Sequence, residues 1–150
     1  MSGLTIEHDA WVMVGDGEKA LFFRNEGDAL HPNLEVVDVL EHENPATHDQ
    51  GTDRPGRSHS SLGARRSALD ETNWHQLEKH RFAKEIASAL YTAAHKGRYS
   101  KLIIVAPPTT LGDLRKEMHA EVSDRVVGEV HKTLTSMLAH EIERVLANHR

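Results

Sequence analysis

The run Leu102-Ile103-Ile104-Val105 restricts the fold more than any other feature of the sequence. It is the most apolar stretch of the chain, and Pro107-Pro108 ends it. A strand with one face in water alternates apolar and polar residues, whereas a short continuous apolar run is typical of a strand buried on both faces. Such strands lie inside parallel sheets and are joined by helical crossovers. The run therefore predicts an α/β protein with a central parallel strand.

Three strand patterns precede this run. Residues 10–14 are all apolar, residues 19–24 follow an Asp16-Gly17 turn, and residues 34–40 are rich in β-branched side chains. Two strands that flank a turn of this type form a hairpin. We therefore expect a meander of three strands at the start of the chain.

Helical spacing follows the meander. An apolar stripe from Ala83 to Ala94 predicts a helix over about 74–96, which Gly97 ends. After the central strand, Thr110 with Asp113 predicts a capping box for a helix that carries Leu111, Leu114 and Met118. The remaining elements are an edge strand over 125–130 and a last helix over about 136–148.

These elements predict one domain over residues 1–150, in the order βββ-(long loop)-αβαβα. Three meandering strands followed by right-handed crossovers give a mixed sheet with helices on both faces, the three-layer arrangement of ribonuclease-H-like domains. Residues 41–73 contain many Pro, Gly, Ser, Asp, Arg and His and few large apolar residues. We expect them to form a long flexible loop, and loops of that length tend to be functional or disordered.

Composition excludes several classes of protein. The chain of 150 residues has no cysteine, so it has no disulfide, thiolate metal site or cysteine nucleophile. It has no apolar run of about 20 residues and no signal-like N-terminus, so we expect a cytoplasmic protein without a membrane span. The net charge of -5 argues against nucleic-acid binding over the whole surface but permits a local basic patch.

Several segments, in the same order along almost the whole chain, resemble the bacterial host-attachment protein family. They are Trp11-Val12-Met13-Val14-Gly15-Asp16-Gly17 with Ala20 and Phe23, residues 78–87, residues 102–108 with Leu111-Gly112-Asp113-Leu114-Arg115, and Leu134-Thr135 with His140-Glu141. That family takes its name from a proposed requirement for attachment to host cells. It is similar to the middle domain of archaeal and eukaryotic class-1 release factors, which has a ribonuclease-H-like fold.

The resemblance has one clear exception. In those release factors a loop before the long helix carries a Gly-Gly-Gln tip that acts on peptidyl-tRNA in the ribosome. The corresponding segment here, Gly56 to Arg66, contains no Gly-Gly-Gln. The resemblance thus implies the fold and a connection with the ribosome or RNA, but not peptide release.

Charge is segregated along the predicted loop. Residues 41–50 carry Glu41, Glu43 and Asp49, a charge of -3, whereas residues 51–66 carry four arginines and Asp53, a charge of +4 - 1 = +3. Arginine forks suit phosphate oxygens, and a flexible segment can order on a polyanion. The sequence therefore predicts an anion-binding or nucleic-acid-binding region that comprises Arg54, Arg57, Arg65 and Arg66, extended by Arg81 and Lys84. A flexible loop whose charges serve only solubility is the plainer alternative.

Catalytic patterns are incomplete. The carboxylates available for two-metal nuclease chemistry are Asp16, Glu78 and Glu85, and the fourth strand ends in prolines instead of a carboxylate. Asp16 is better explained as part of a hairpin turn. His140-Glu141 lacks the second histidine of a zinc-protease helix, since Arg144 stands in its place. We therefore expect no catalytic residue, metal or cofactor.

The leading hypothesis is a non-enzymatic protein that binds RNA, the ribosome or another anionic partner through the arginine-rich loop. The alternative is a protein-interaction factor that supports attachment to host cells through a protein partner. A metal-dependent hydrolase is the weakest of the three hypotheses.

Overall fold

The computed structural model describes residues 4–41 and 61–148, with the side chains of residues 4–41 and 76–148. The first half holds three strands, and the second holds two strands and four helices. The strands are β1 (Trp11–Gly15), β2 (Lys19–Asn25), β3 (Leu34–Glu41), β4 (Leu102–Val105) and β5 (Val126–Val130). The helices are α1 (Ser61–His95), α2 (Pro108–Glu117), α3 (Ala120–Ser123) and α4 (Ala139–Ala147).

The five strands form one mixed sheet in the order β3-β2-β1-β4-β5. β1 pairs antiparallel with β2, and β2 pairs antiparallel with β3. β4 runs parallel to both β1 and β5. The predicted meander, central parallel strand and mixed sheet are therefore confirmed, and β5 lies at an edge as predicted.

Helices cover both faces of this sheet, as the three-layer prediction requires. On one face α1, α2 and α3 pack against Trp11, Met13, Phe22 and Ile104. On the other face α4 and the N-terminal segment pack against Val12, Val14, Phe23, Ile103 and Val105. Because side chains of successive strand residues point to opposite faces, β1 and β4 contribute to both cores and are buried throughout.

Helix α1 begins earlier than predicted. It starts at Ser61 instead of about residue 74, so the prediction of a loop over 41–73 is wrong for residues 61–73 and for Glu41, which ends β3. The prediction followed the apolar stripe that packs on the sheet. Residues 61–73 have little of that stripe but many good helix formers, and propagation from an established helix needs no stripe. Residues 42–60 lie outside the described residues.

Helix α2 also begins earlier than predicted, and the predicted capping box is wrong. Pro108 is its first residue and no side chain caps it, so Thr110 lies inside the first turn. Proline suits the first helical position because its missing N–H has no partner there in any helix. Asp113 instead lies 3.7 Å from His80 of α1, measured between Oδ1 and Nδ1.

Candidate functional site

A cleft lies at the ends of the adjacent strands β1 and β4, where the chain connections lead to opposite sides of the sheet. From β1 the chain continues to β2 and β3 on one side, whereas β4 leads to β5 on the other. In open α/β sheets ligands bind at such a point, outside the carboxyl ends of the strands. Here the turn after β1 and the turn after β4 enclose a cleft of about 320 Å³, lined by Asp16, Gly17, Glu18, Lys79, Pro107, Thr109 and Thr110.

Asp16 holds one wall of the cleft in place. Its Oδ1 accepts hydrogen bonds from the backbone N–H groups of Glu18 at 2.8 Å and Lys19 at 2.9 Å. Its Oδ2 accepts one from the hydroxyl of Thr135 at 2.8 Å, in the segment between β5 and α4. The side chain thus closes the hairpin turn and ties it to a distant segment, a structural role that the turn prediction only partly contained.

Lys79 crosses the cleft above Gly17. A Cβ on Gly17 would lie 2.8 Å from Cγ of Lys79, so glycine is what allows the lysine stem to pack against the turn. The side chain is exposed, and Lys79 makes no ion pair within the described part of the chain. Its ammonium group therefore remains available to a ligand.

The start of α2 forms the opposite wall. The N–H groups in the first turn of a helix have no partner within the helix. Pro107 precedes this helix and no side chain caps it, so the N–H groups of Thr109 and Thr110 are left without a cap. This end of the helix also carries its positive partial charge.

The predicted anion-binding residues do not gather in the cleft. Arg81 and Lys84 are exposed on α1, and Arg81 donates to Oε2 of Glu78 at 3.0 Å. Both positions lie on the side of α1 away from the buried residues Phe82, Ala83 and Ile86. Arg65 and Arg66 lie in the first two turns of the same helix, whereas Arg54 and Arg57 fall outside the described residues. α1 therefore joins four of the six predicted positions.

The carboxylates considered for a hydrolase are not assembled into a site. Asp16 is occupied by its three hydrogen bonds, Glu78 is only 7% exposed beside Arg81, and Glu85 is exposed on α1. Within residues 4–41 and 61–148 no three metal-ligating side chains are arranged to hold an ion.

The sequence does not identify Lys79 and Thr110 as site residues, because the signals for them are weak. Lys79 stands beside Arg81 and Lys84 in sequence and differs only in its direction around the helix, which depends on where the buried stripe begins. Thr110 was assigned to a helix cap. The prolines after β4 were the best available signal, because they mark a turn at the carboxyl end of a central strand.

A family model covers nearly the whole chain. It describes the bacterial archaeo-eukaryotic release factor family 12 and matches residues 9–146. The chain belongs to this family. No curated protein matches the sequence.

Two solved structures resemble this member of the release-factor family. One is a crystal structure of the archaeal translation termination factor aRF1, with 12% identity, a TM-score of 0.48 and 83% of this chain covered. The other is described as an archaeal protein, with 13% identity, a TM-score of 0.46 and 93% of this chain covered. The chain spans about a third of the length of each, 30% and 36% respectively.

No helix in the part of this family member that the structure describes is a candidate membrane span. None of them combines sufficient length with sufficient hydropathy to cross a bilayer.

Proposed function

We propose that this member of the release-factor family associates with the ribosome by binding RNA, and that it does so without catalysing a reaction. The observation that carries the proposal is the family match over residues 9–146 together with the arginine-rich segment that runs into the start of α1. The anionic partner in this proposal is ribosomal RNA, contacted by Arg54, Arg57, Arg65 and Arg66.

The length of α1 supports this location. At about 1.5 Å per residue, its 35 residues extend about 52 Å. The longest strand, β3, has eight residues and extends only about 27 Å. The sheet is therefore too short to lie under the whole length of the helix.

Helical periodicity places two of the predicted basic positions on one side of α1. Eighteen residues make five turns of an α-helix, so position 66 returns to the side of α1 that carries Lys84. Arg81 lies about 60° from that direction. Arginine and lysine on one side of a helix suit phosphates spaced along an RNA backbone, and such contacts fix position without reading the base sequence.

Sedimentation with ribosomes at two salt concentrations tests the proposal. We expect the chain to sediment with ribosomes at low salt and to be released as salt rises, because bound phosphates have displaced their counterions. In a variant with Arg54, Arg57, Arg65 and Arg66 changed to alanine, binding is lost, or its slope in log affinity against log salt decreases by about 3.

The matched control removes four positive charges elsewhere. Lys96, Arg98, Lys116 and Lys132 are exposed and make no ion pair in the described part of the chain. Changing all four to alanine gives the same net charge as the arginine variant, and we expect it to retain binding. Equal loss of ribosome binding in both variants would show that net charge, and not the arginine-rich segment, determines binding. Absence of binding by the unaltered chain would contradict the proposal.

The edge of the sheet favours a second function, a protein-interaction factor that supports attachment to host cells. No other described strand pairs with the outer edge of β3, and Val36 and Val39 are 53% and 44% exposed. They lie opposite Phe23 and Leu21, on the same face of the sheet. An exposed edge of this kind accepts an added strand.

The negative charge along β3 determines which kind of strand can be added. Glu35, Asp38 and Glu41 are exposed along it, so a second copy would bring like charges together. The occupant is therefore an extended segment of a partner protein in which Lys or Arg alternates with apolar residues. Main-chain hydrogen bonds would hold it to the edge.

A synthetic peptide of alternating Lys and Val tests this second function. We expect it to shift the backbone amide signals of residues 35–41 in the ¹⁵N-labelled chain, and Val39→Lys to abolish the effect. Val127→Lys is the control, because Val127 is 51% exposed on the opposite edge strand. In the bacterium, Val39→Lys should reduce attachment and Val127→Lys should not. Unchanged attachment, or no shift along β3, would exclude this function.

A further inference from the structure

Hydrogen-bond donors that have no partner among the described residues converge in the cleft at the carboxyl ends of β1 and β4. They are the ammonium group of Lys79, the hydroxyl of Thr110 and the first N–H groups of α2. They come from two different helices, and neither helix requires the other for its own hydrogen bonds. A ligand that accepts several hydrogen bonds explains why the donors meet there.

The state of Thr110 distinguishes this cleft from an ordinary helix start. Thr110 is only 7% exposed, and its hydroxyl makes no hydrogen bond within the described part of the chain. Of the fully buried side-chain polar atoms there, only the indole nitrogen of Trp11 lacks a partner. The unpaired hydroxyl of Thr110 therefore keeps some exposed surface, and because Thr110 lines the cleft, that hydroxyl is available to a group bound there.

The acidic residues of the cleft leave this donor wall intact. Asp16 accepts three hydrogen bonds, and each of them offsets part of its negative charge. Glu18 is exposed at the rim, where solvent screens it. The wall formed by Lys79 and α2 therefore keeps its positive potential.

We propose that this cleft binds a phosphate group. Lys79 supplies the positive charge, the hydroxyls of Thr109 and Thr110 supply donors, and the start of α2 supplies backbone N–H groups and its dipole. Helix starts are suited to phosphate for these two reasons, and charge-assisted bonds strengthen the binding. A volume of about 320 Å³ also admits part of the molecule that carries the phosphate.

The phosphate has two chemical sources, a small phosphorylated molecule or the backbone of RNA. Both present the same oxygens to the cleft, so the chemistry of the site is shared. The proposal does not depend on the ribosome proposal, because none of its donors belongs to the arginine-rich segment.

Titration of the ¹⁵N-labelled full chain tests the proposal with inorganic phosphate, adenosine 5′-monophosphate, adenosine and a short oligoribonucleotide. We expect phosphate and the monophosphate to shift the amide signals of Thr109, Thr110 and Gly17, and adenosine to leave them unchanged. The oligoribonucleotide identifies the source: tighter binding than the monophosphate, with the same shifts, indicates RNA. Weaker binding indicates a small phosphorylated molecule.

Substitutions test each donor. We expect Lys79→Gln to weaken monophosphate binding by about fivefold and Thr110→Val, which keeps the shape of threonine, to weaken it by a similar factor. Glu18→Gln should strengthen binding, because it removes a negative charge from the rim. Lys96→Gln is the control, since Lys96 is exposed just beyond the far end of α1.

Three results would overturn the proposal. They are adenosine binding as tightly as its monophosphate, phosphate shifts spread over the surface without a maximum at Thr109 and Thr110, and equal weakening by Lys79→Gln and Lys96→Gln. Unfolding measurements on each variant separate loss of binding from loss of fold. If the cleft binds no phosphate while ribosome sedimentation persists, only this inference fails.

Discussion

At the scale of single residues, Asn25 joins more backbone groups than any other side chain in the described part of the chain. It is fully buried at the end of β2. Its amide nitrogen donates to the carbonyls of Ile6, Glu7 and Asp28, and its amide oxygen accepts from the N–H groups of Gly27 and Asn33. One side chain thereby supplies hydrogen-bond partners to backbone groups of both the segment before β1 and the turn before β3.

Removing this amide should destabilise the fold strongly. Asn25→Ala leaves several buried backbone groups without partners, and we expect the free energy of unfolding to fall by about 3 kcal/mol in urea titrations. Asn25→Asp keeps the accepting oxygen and loses the donors, so it should also destabilise. A loss below about 1 kcal/mol for Asn25→Ala would show that water replaces the amide.

Tyr99 makes stability depend on alkaline pH. Burial raises its pKa from 10.0 to about 12, and its hydroxyl donates to the carbonyl of Leu90 at 2.9 Å. Because the folded chain favours the neutral phenol, this stabilisation is complete below pH 10 and is lost as pH rises through about 12.

We expect the free energy of unfolding to decrease between those two pH values, by up to about 1.4 kcal/mol per unit of pKa shift. Unfolding by urea at several alkaline pH values measures this decrease. Tyr99→Phe should remove this part of the pH dependence. An unchanged profile in the variant would assign the decrease to other groups.

At the scale of elements, α1 has two parts with different support. Residues from Glu78 to Ala94 include those that pack on the sheet, whereas residues 61–77 precede the first buried position that the structure describes. Packing on the sheet stabilises the part from Glu78 to Ala94. Helix propensity and propagation from that packed part are sufficient to extend the helix back to Ser61. The two parts should therefore respond differently to a helix breaker.

Proline substitutions distinguish the two parts. Ala68→Pro should reduce helicity at 222 nm with little change in the free energy of unfolding, because it lies before the first buried position that the structure describes. Ser88→Pro, within the packed part, should lower that free energy by about 3 kcal/mol or more. Equal destabilisation by both would mean that the start of α1 is part of the core.

The hairpin turn and the segment before α4 are coupled through Asp16 and Thr135. Their hydrogen bond joins elements that are 119 residues apart. In a double-mutant cycle of Asp16→Asn and Thr135→Val, we expect a coupling energy of about 1 kcal/mol in urea unfolding. A coupling near zero would mean that the backbone bonds of the turn alone hold Asp16.

Apolar periodicity was sufficient to predict the elements that pack on the sheet. The runs at 10–14 and 102–105 identified the two strands buried on both faces, and their order identified a mixed sheet. Periodicity reports packing, however, so it does not predict residues 61–73 of α1, and it places the start of α2 at a polar residue inside that helix. Both errors concern helix ends, where local energies of a few tenths of a kcal/mol decide the boundary.

The candidate site was harder to predict than the fold. Charge and proximity in sequence to the arginine-rich segment predict Arg81 and Lys84 as binding residues. Lys79, which the sequence does not distinguish from them, alone of the three lines the cleft. Which side of a helix faces a sheet edge depends on tertiary packing, and Gly17 permits the contact in a way that no local pattern reveals.

At the scale of the whole molecule, the sheet has a core on each face, and β1 and β4 belong to both. Leu90 of α1 is fully buried in one core, and Leu146 of α4 is fully buried in the other. Because the same central strands support both layers, neither layer can unfold and leave the other intact.

Truncation in either core should therefore destabilise the whole chain. We expect Leu90→Ala and Leu146→Ala each to lower the free energy of unfolding by about 2–5 kcal/mol, with a single cooperative transition. Far-ultraviolet circular dichroism and amide exchange should report the same transition in both variants. Early exchange of one core alone would show that the layers are independent.

The pairing of β1 with β4 has a consequence for the synthesis of the chain. β1, β2 and β3 are complete within the first 41 residues, but the parallel partner of Trp11 is Leu102, 102 - 11 = 91 residues later. At about 5–20 residues per second, a ribosome needs roughly 5–18 seconds to supply it. During that interval β1, which is buried throughout in the finished protein, is the open edge of a three-stranded meander. The nascent chain is therefore most exposed to aggregation before α1 and β4 have emerged.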